Sequence, residues 1–239
     1  MKRAFDIAFA TVVLIALFPL LVITAIAVKL TSSGPVFYGA RRAGLNGRPI
    51  RVWKFRTMVT GADKHATVTI GSDSRITGIG KLLRASKLDE IPQLWNILHG
   101  EMSVVGPRPE SLDIVEQYFT PKERETLNVL PGLTCPGNLL YYVFHEDLRP
   151  PVGVSANQFY VAHLLRPKLL ADLHYVRHQS FGRDLSLIMD TVRVILAKWQ
   201  GKAPDWTPEF AETPPASWKG DAFRDGKCRE SEAASLFNS

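Results

Sequence analysis

The chain has 239 residues and a mass of 26.6 kDa, enough for one ordinary domain with a small appendage at each end. Apolar residues make up 46% of it and charged residues 22%, so it can bury a core, and 17 glycines with 16 prolines exclude collagen-like and low-complexity chains. Its two cysteines, Cys135 and Cys228, form no CxxC pair, which excludes a disulfide scaffold and a cysteine zinc site and points to a reducing compartment. The net charge of +6 is unevenly spread: no Asp or Glu occurs from Ile7 to Ala62, and Lys29, Arg41, Arg42, Arg48, Arg51, Lys54 and Arg56 crowd one stretch. The last forty residues hold five basic and seven acidic residues, and without them the balance is 24 basic to 16 acidic. Such a surface attracts phosphates, whether of a nucleotide, an anionic lipid or a nucleic acid.

The first element is a 22-residue uncharged run from Ile7 to Val28, interrupted only by Thr11, Pro19 and Thr24. As a helix it is long enough for a hydrocarbon core of about 30 Å. A signal peptide fits poorly, because the apolar run is too long and Asp6 interrupts the basic start. A simple span and a re-entrant hairpin both remain. Lys2 and Arg3 on one flank, and the basic stretch on the other, blur the charge asymmetry expected of a span. Pro19 sits near the middle of the run, where a missing N–H and a clash with the carbonyl four residues back bend a helix. That favours, narrowly, a helix dipping into one leaflet with both ends on one face.

Val36–Tyr38 and Ile50–Phe55 read as short strands flanking the turn Gly44-Leu45-Asn46-Gly47. Ile79–Arg84 reads as a short helix, and Pro92–Leu98 as another that opens on proline, with Ile91, Leu94, Trp95 and Leu98 as its apolar stripe. Pro107 and Pro109 hold Arg108 in an extended segment. Glu110–Phe119 and Pro121–Asn128 are expected helices, Leu130–Pro151 a long ordered loop, and Asn157–His178 a helix kinked at Pro167. Asp184–Trp199 is the clearest amphipathic helix, with Leu185, Ile188, Met189, Val192, Ile195, Leu196 and Trp199 on one stripe. Core packing is the ordinary destination of such a stripe, a membrane interface the alternative. The proline-rich tail after Trp199 reads as an extension without periodicity.

Several motifs fall short of chemistry. Gly78-Ile79-Gly80-Lys81 lacks the first glycine and the final Ser or Thr of a phosphate loop. His174 and His178 lack the glutamate of a zinc-protease helix, and His145-Glu146 lacks a second histidine at helical spacing. No Gly-x-Ser-x-Gly elbow is present. Adjacent carboxylates occur at Asp89-Glu90 and Glu146-Asp147, about the number that chance supplies. Only Asp89-Glu90 immediately precedes an expected helix start, with Arg84 before it and Arg108 after it. On these residues alone the pair is either a solvated acidic turn or a phosphate-handling site. A membrane-anchored scaffold is therefore the rival to an enzyme. A nucleic-acid binder fits less well, since the basic stretch adjoins an apolar segment and offers only Trp53 as a stacking tryptophan.

The segments KRAFDI from Lys2, SSGPVFYGARRAGLNGRPIRVWKFRTM from Ser32, LRASKLDEIPQLWNILHGEMSVVGPRPE from Leu83, PGLT from Pro131 and the closing DLHYVRHQSFGRDLSLIMDTV stand in one order. In that order they resemble the bacterial sugar transferases, monotopic polyprenyl-phosphate phosphoglycosyl transferases, in their minimal form. The block from Leu83 to Glu110 is the most specific. The resemblance implies an α+β, mostly helical fold: a re-entrant membrane helix over 1–30, a catalytic domain over 31–199 and a mobile extension over 200–239. It implies Mg²⁺-dependent transfer of a sugar-1-phosphate from a UDP-sugar to a polyprenyl (undecaprenyl) phosphate, releasing UMP, at the cytoplasmic face of the bacterial inner membrane. Asp89 would be the nucleophile and Glu90 its partner in metal and acceptor chemistry. Lys54, Arg56, Arg84 and Arg108 would bind phosphate, Asp184 would lend support and Pro19 would bend the membrane helix. The sugar, the glycan served and the oligomeric state, a homodimer included, stay open. Two positions depart from the family pattern: Phe18-Pro19 replaces the usual Ser-Pro at the bend, and Leu130–Pro136 departs from the usual Arg-Pro-Gly-Ile-Thr-Gly-Trp.

Overall fold

The structure, a computed structural model, describes residues 1–62, 73–145 and 154–210. The Glu146-Asp147 pair, Cys228 and most of the C-terminal extension lie outside the described residues. Two compact units divide these residues, one built from 1–62 and 74–135 and the other from Pro136 onward. The fold is α+β and mostly helical, as the resemblance implies.

The first unit opens with α1 (Lys2–Thr31), a single helix with Pro19 inside it. By length and composition it can cross a membrane, and little of its apolar window is buried. Its two ends are pinned to the same unit. At the start, Lys2 Nζ donates to the Val105 carbonyl at 3.0 Å, and Arg3 Nη2 donates to the Leu98 carbonyl at 3.0 Å. Asp6, 1% exposed, accepts from Ser103 Oγ at 2.9 Å and from the Val104 N–H at 3.0 Å. At the other end Val28 is buried with Phe55 and Leu83, and Leu21, Ala25, Val36, Ile79 and Leu88 pack around them. Between these anchors Val12, Ile15, Phe18 and Ile23 are exposed.

Strands β1 (Phe37–Ala43) and β2 (Pro49–Phe55) form an antiparallel hairpin. Its connection uses the expected turn, with Asn46 and Gly47 both at positive φ. Helix α2 (Gly78–Ser86) is capped by Thr77, whose Oγ1 accepts the Gly80 N–H at 3.0 Å. A single helical turn, Leu88–Glu90, then leads through Ile91 and Pro92 into α3 (Gln93–His99), which Gly100 ends in the left-handed conformation. The apolar stripe expected on α3 is only partly right. Leu94 is buried, but Trp95 is exposed and tilted against His99, while Gln93, Asn96 and Ile97 face inward. A buried Asn explains the error: its Oδ1 accepts the Trp53 N–H at 3.1 Å and its Nδ2 donates to the Arg51 carbonyl, binding α3 to β2 with polar atoms that periodicity ignores. After β3 (Ser103–Val105) come α4 (Leu112–Tyr118), a 3₁₀ segment at Glu123–Asn128, and β4 (Gly132–Thr134), which pairs in parallel with β3.

The second unit corrects the expected loop from Leu130. After β4 the chain enters α5 (Pro136–Leu140), which widens into a π-turn at Tyr141–His145. Gly137 is obligatory in α5 because a Cβ there would strike the Asp172 carboxylate, which accepts the Gly137 N–H at 2.8 Å. The expected kinked helix is three pieces: α6 (Ala156–Phe159), a π-turn at Tyr160–Leu165, and α7 (Arg166–Arg177). The irregularity precedes Pro167 because the proline lacks an N–H and its ring crowds the carbonyl four residues back. Helix α8 (Phe181–Trp199) buries Asp184, Leu187 and Val194, whereas Leu185, Met189, Val192, Leu196 and Trp199 of the expected core stripe are exposed. Beyond it, Gly201 turns the chain at φ 67°, and Glu209 returns to the start of the helix, where it pairs with His174 at 2.9 Å and Arg183 at 3.7 Å.

Candidate active site

Lys87, at φ 59°, is a left-handed non-glycine residue between α2 and the turn that carries Asp89 and Glu90. The reversal ends α2 and starts a new helical direction at once, which sets the two carboxylates on a short rigid turn. Glu90 is gripped from two elements. Lys54 on β2 donates to Glu90 Oε1 at 2.5 Å, and Arg108, in the extended Pro107–Pro109 segment, donates to the same oxygen at 3.4 Å. Burial alone would raise the Glu90 pKa, but Lys54 and then Arg108 outweigh it and hold the carboxyl well below the usual carboxylate range. Burial also draws the Lys54 ammonium below its ordinary value, against the opposing pull of Glu90.

Asp89 is the opposite case. It is 7% exposed, and among the described residues no hydrogen bond or ion pair engages its carboxylate. Burial first, and the negative charge of Glu90 second, push its pKa up to about 6, with Lys54, Arg84 and Lys87 pulling the other way. Arg84 is held in place by donating Nε–H to Thr57 Oγ1 at 2.9 Å. A carboxylate that is buried, near cations and without a donor among the described residues has the chemistry to act as a nucleophile or as a metal ligand.

The structure thus brings Lys54, Arg84, Asp89, Glu90 and Arg108 into one electrostatic neighbourhood. Arg56 goes elsewhere. Its Nη2 donates to Ser32 O at 2.8 Å and Ser32 Oγ at 2.7 Å, fastening β2 to the end of α1, where free carbonyls concentrate negative charge. Gly34 gives this guanidinium its room, since a Cβ there would collide with Nη1. Asp184 lies in the second unit, where its Oδ1 accepts the Tyr175 hydroxyl at 2.6 Å and Gln179 donates to that hydroxyl at 2.9 Å. Pro19 is exposed on α1. Lys87 was the member that sequence reasoning missed, although its charge acts on both carboxylates. The signal was its place two residues before the pair.

Among the described residues no group of three or more His, Cys, Asp or Glu side chains could hold a metal. His174 stacks on His178 with ring centroids 4.3 Å apart and pairs with Glu209. A separate hollow of about 510 Å³, lined by Arg41, Pro49, Ile50, Arg51, Trp53 and Glu101, contains neither Asp89 nor Glu90; the residues that cluster by charge mark the candidate site.

Comparison with known proteins assigns the chain to a family. A family model described as bacterial sugar transferase matches residues 1–198. The UDP-glucose:undecaprenyl-phosphate glucose-1-phosphate transferase of Escherichia coli (strain K12) is 37% identical over 195 residues, 80% of this chain and 39% of that protein, so the chain spans about two fifths of its length. The exopolysaccharide production protein ExoY of Rhizobium meliloti (strain 1021) is 42% identical over 210 residues, covering 81% of this chain and 84% of that protein. The exopolysaccharide production protein PSS of Rhizobium leguminosarum bv. phaseoli is 35% identical over 208 residues, covering 84% and 98%. A match that runs from the apolar helix, through the carboxylate turn and its cations, almost to the end of α8 makes the assignment: this chain belongs to the bacterial sugar transferase family.

Proposed function

We propose that this chain transfers a sugar-1-phosphate from a UDP-sugar to undecaprenyl phosphate in two displacements at Asp89, as a membrane step of exopolysaccharide or related glycan synthesis. The observation that carries the reading is Asp89 itself: buried, next to fixed cations, and without a hydrogen bond among the described residues. The activity for which the E. coli relative is named supports the donor and acceptor classes.

In the first displacement an Asp89 carboxylate oxygen attacks the β-phosphorus of the donor. The new O–P bond forms as the bond from that phosphorus to the bridging oxygen breaks, and UMP leaves with the bridging oxygen. In the second, an oxygen of undecaprenyl phosphate attacks the same phosphorus and Asp89 departs as free carboxylate. Covalent catalysis of this kind lets the nucleotide leave before the lipid attacks. The obstacle is anion meeting anion: two unit charges 4 Å apart repel by about 4 kcal/mol at an effective dielectric near 20. Arg84, Lys87 and Lys54 oppose that repulsion, and the grip of Lys54 and Arg108 keeps Glu90 ionised and oriented beside the nucleophile.

The donor set also suits Mg²⁺, which is bound through one or two carboxylates plus substrate phosphates rather than by a full protein cage. Asp89 has no hydrogen bond among the described residues and Glu90 uses one oxygen for both of its cations, so these two residues would hold the ion. Bound there, Mg²⁺ would neutralise diphosphate charge.

The same reading places α1 in the bacterial inner membrane as a re-entrant helix, with the first unit on the cytoplasmic face. Support comes from the pinning of both helix ends to that unit, at Lys2, Arg3 and Asp6 on one side and Val28 and Ser32 on the other. An anchor of this form keeps the site at the depth of a lipid phosphate.

The test is incubation of detergent-purified chain with UDP-sugars labelled on the β-phosphate, without lipid acceptor. The wild type acquires protein-bound label and releases UMP; Asp89→Asn lowers the rate by about 10⁴-fold or more. Undiminished labelling in Asp89→Asn refutes the assignment.

A further inference from the structure

Gln93 and Asn96 are two carboxamides on one face of α3, and they are treated in opposite ways. Asn96 makes three hydrogen bonds, accepting the Trp53 N–H and donating to the Arg51 carbonyl and the Glu101 carboxylate. Gln93 is 3% exposed, its Nε2 is buried without an acceptor, and among the described residues its side chain makes no hydrogen bond at all. A buried amide without a partner is rare and calls for an explanation, of which a catalytic role is one.

The place of Gln93 favours a phosphate oxygen as that acceptor. From Leu88 through Ile91 and Pro92 into α3 the backbone stays right-handed, and the Glu90 and Ile91 N–H groups bond to carbonyls three residues back, so Gln93 stands one 3₁₀ turn after Glu90. Residues three apart in such a turn share a face. On this face the Glu90 carboxylate, held by Lys54 and Arg108, therefore neighbours an amide that lacks an acceptor among the described residues. Lys54 and Trp53 of β2 engage Glu90 and Asn96 on either side of it. An unused donor beside the carboxylate turn and its cations suits an oxyanion.

We infer that Gln93 is a substrate-contacting residue: its Nε2–H donates to a non-bridging oxygen of the phosphoryl group under transfer, while Asp89 bonds to the phosphorus. This rests on the two-displacement reading. A neutral donor suits the position, because it stabilises the trigonal phosphoryl group without adding a further cation that would hold the phosphosugar on the enzyme.

Gln93→Met keeps the length of the side chain and removes the N–H. The empty variant is expected to melt at or above the wild-type temperature, since it loses an unpaired buried donor. Its rate of labelling by β-phosphate-labelled UDP-glucose or UDP-N-acetylgalactosamine, at saturating donor, is expected to fall by about 100-fold with a much smaller change in KM. Gln93→Glu, which keeps the shape and places an acceptor where the donor stood, is expected to lose as much and serves if Gln93→Met does not fold. Labelling within about twofold of wild type in the folded variants overturns the inference, as does a lower melting temperature with unchanged labelling per folded molecule. If the wild type labels and Asp89→Asn does not, while Gln93→Met labels normally, only the role of Gln93 falls. If the wild type acquires no label from either donor, the two-displacement reading falls and takes this inference with it.

Discussion

The buried aspartates of the two units share one kind of surrounding, with Asp89 the exception. In the second unit Asp172 accepts a backbone N–H from Gly137, and Asp184 accepts the Tyr175 hydroxyl. In the first unit Asp6 is equally committed, tying α1 to β3 through Ser103 and Val104. Asp89 is also buried but has no donor among the described residues. Burial of a carboxylate is thus no mark of function here; three of the four are joints of the architecture. What separates Asp89 is the cost of leaving it unbonded, a cost that nearby cations offset and that, on the proposed reading, a bound ligand would remove.

The difference has measurable consequences. Tyr175→Phe removes the hydroxyl donor of Asp184, and stability is expected to fall by about 2 to 3 kcal/mol, the worth of a hydrogen bond to a charged group. Chemical denaturation checks the loss, and Asp89-dependent labelling per folded molecule stays within about twofold. A fall in labelling without a fall in stability would bring Asp184 into the chemistry and break the contrast.

Asp89→Asn should act in the reverse direction on stability. The folded-state pKa of Asp89, about 6, lies above its ordinary value of 3.8, so the native protein holds that proton more tightly than the unfolded chain. The favourable contribution is therefore complete below pH 3.8 and is lost as pH rises to about 6. In chelator-treated, metal-free protein, Asp89→Asn is expected to be more stable than wild type by about 1 to 2 kcal/mol at pH 8 and to lose that advantage toward pH 4. The same titration makes wild-type labelling rise through pH 6. A destabilised Asp89→Asn at pH 8 would mean that the carboxylate is a structural joint like Asp184.

The sequence made some of this visible. The hairpin and its turn, the bounds of α2 and α3, and the Leu88-Asp89-Glu90 block are local events, written in Gly, Pro and helical spacing, and they stand within a few residues of where they were read. What escaped depended on distant partners. Asp6 looked like a flaw in a basic leader until Ser103 and Val104, far along the chain, supplied its donors. Arg56 looked like one more phosphate-binding cation, but Ser32 takes it to the end of α1. The stripe on α8 had the period of a core helix, yet most of its residues are exposed, because periodicity reports that a helix has two faces and not what covers each. Gln93 carried no signal of its own; only the comparison with Asn96 in three dimensions shows that one amide is used and the other is not.

At the lower end of the scale stands Glu209, an acid with partners but little burial. Its carboxylate meets His174 at 2.9 Å and Arg183 at 3.7 Å, and its side chain is 71% exposed. Water competes for every charge in that group, and ordering a long side chain costs entropy, so Glu209→Gln should change stability by no more than about 0.5 kcal/mol. Raising the salt concentration should shrink even that difference, since exposed pairs are screened. The buried Tyr175–Asp184 bond, in the same unit, should be far less salt-sensitive. A loss above about 2 kcal/mol in Glu209→Gln would show that the returning segment stabilises α7 and α8 as a packed element; it would then rank with the aspartate joints and not with the surface.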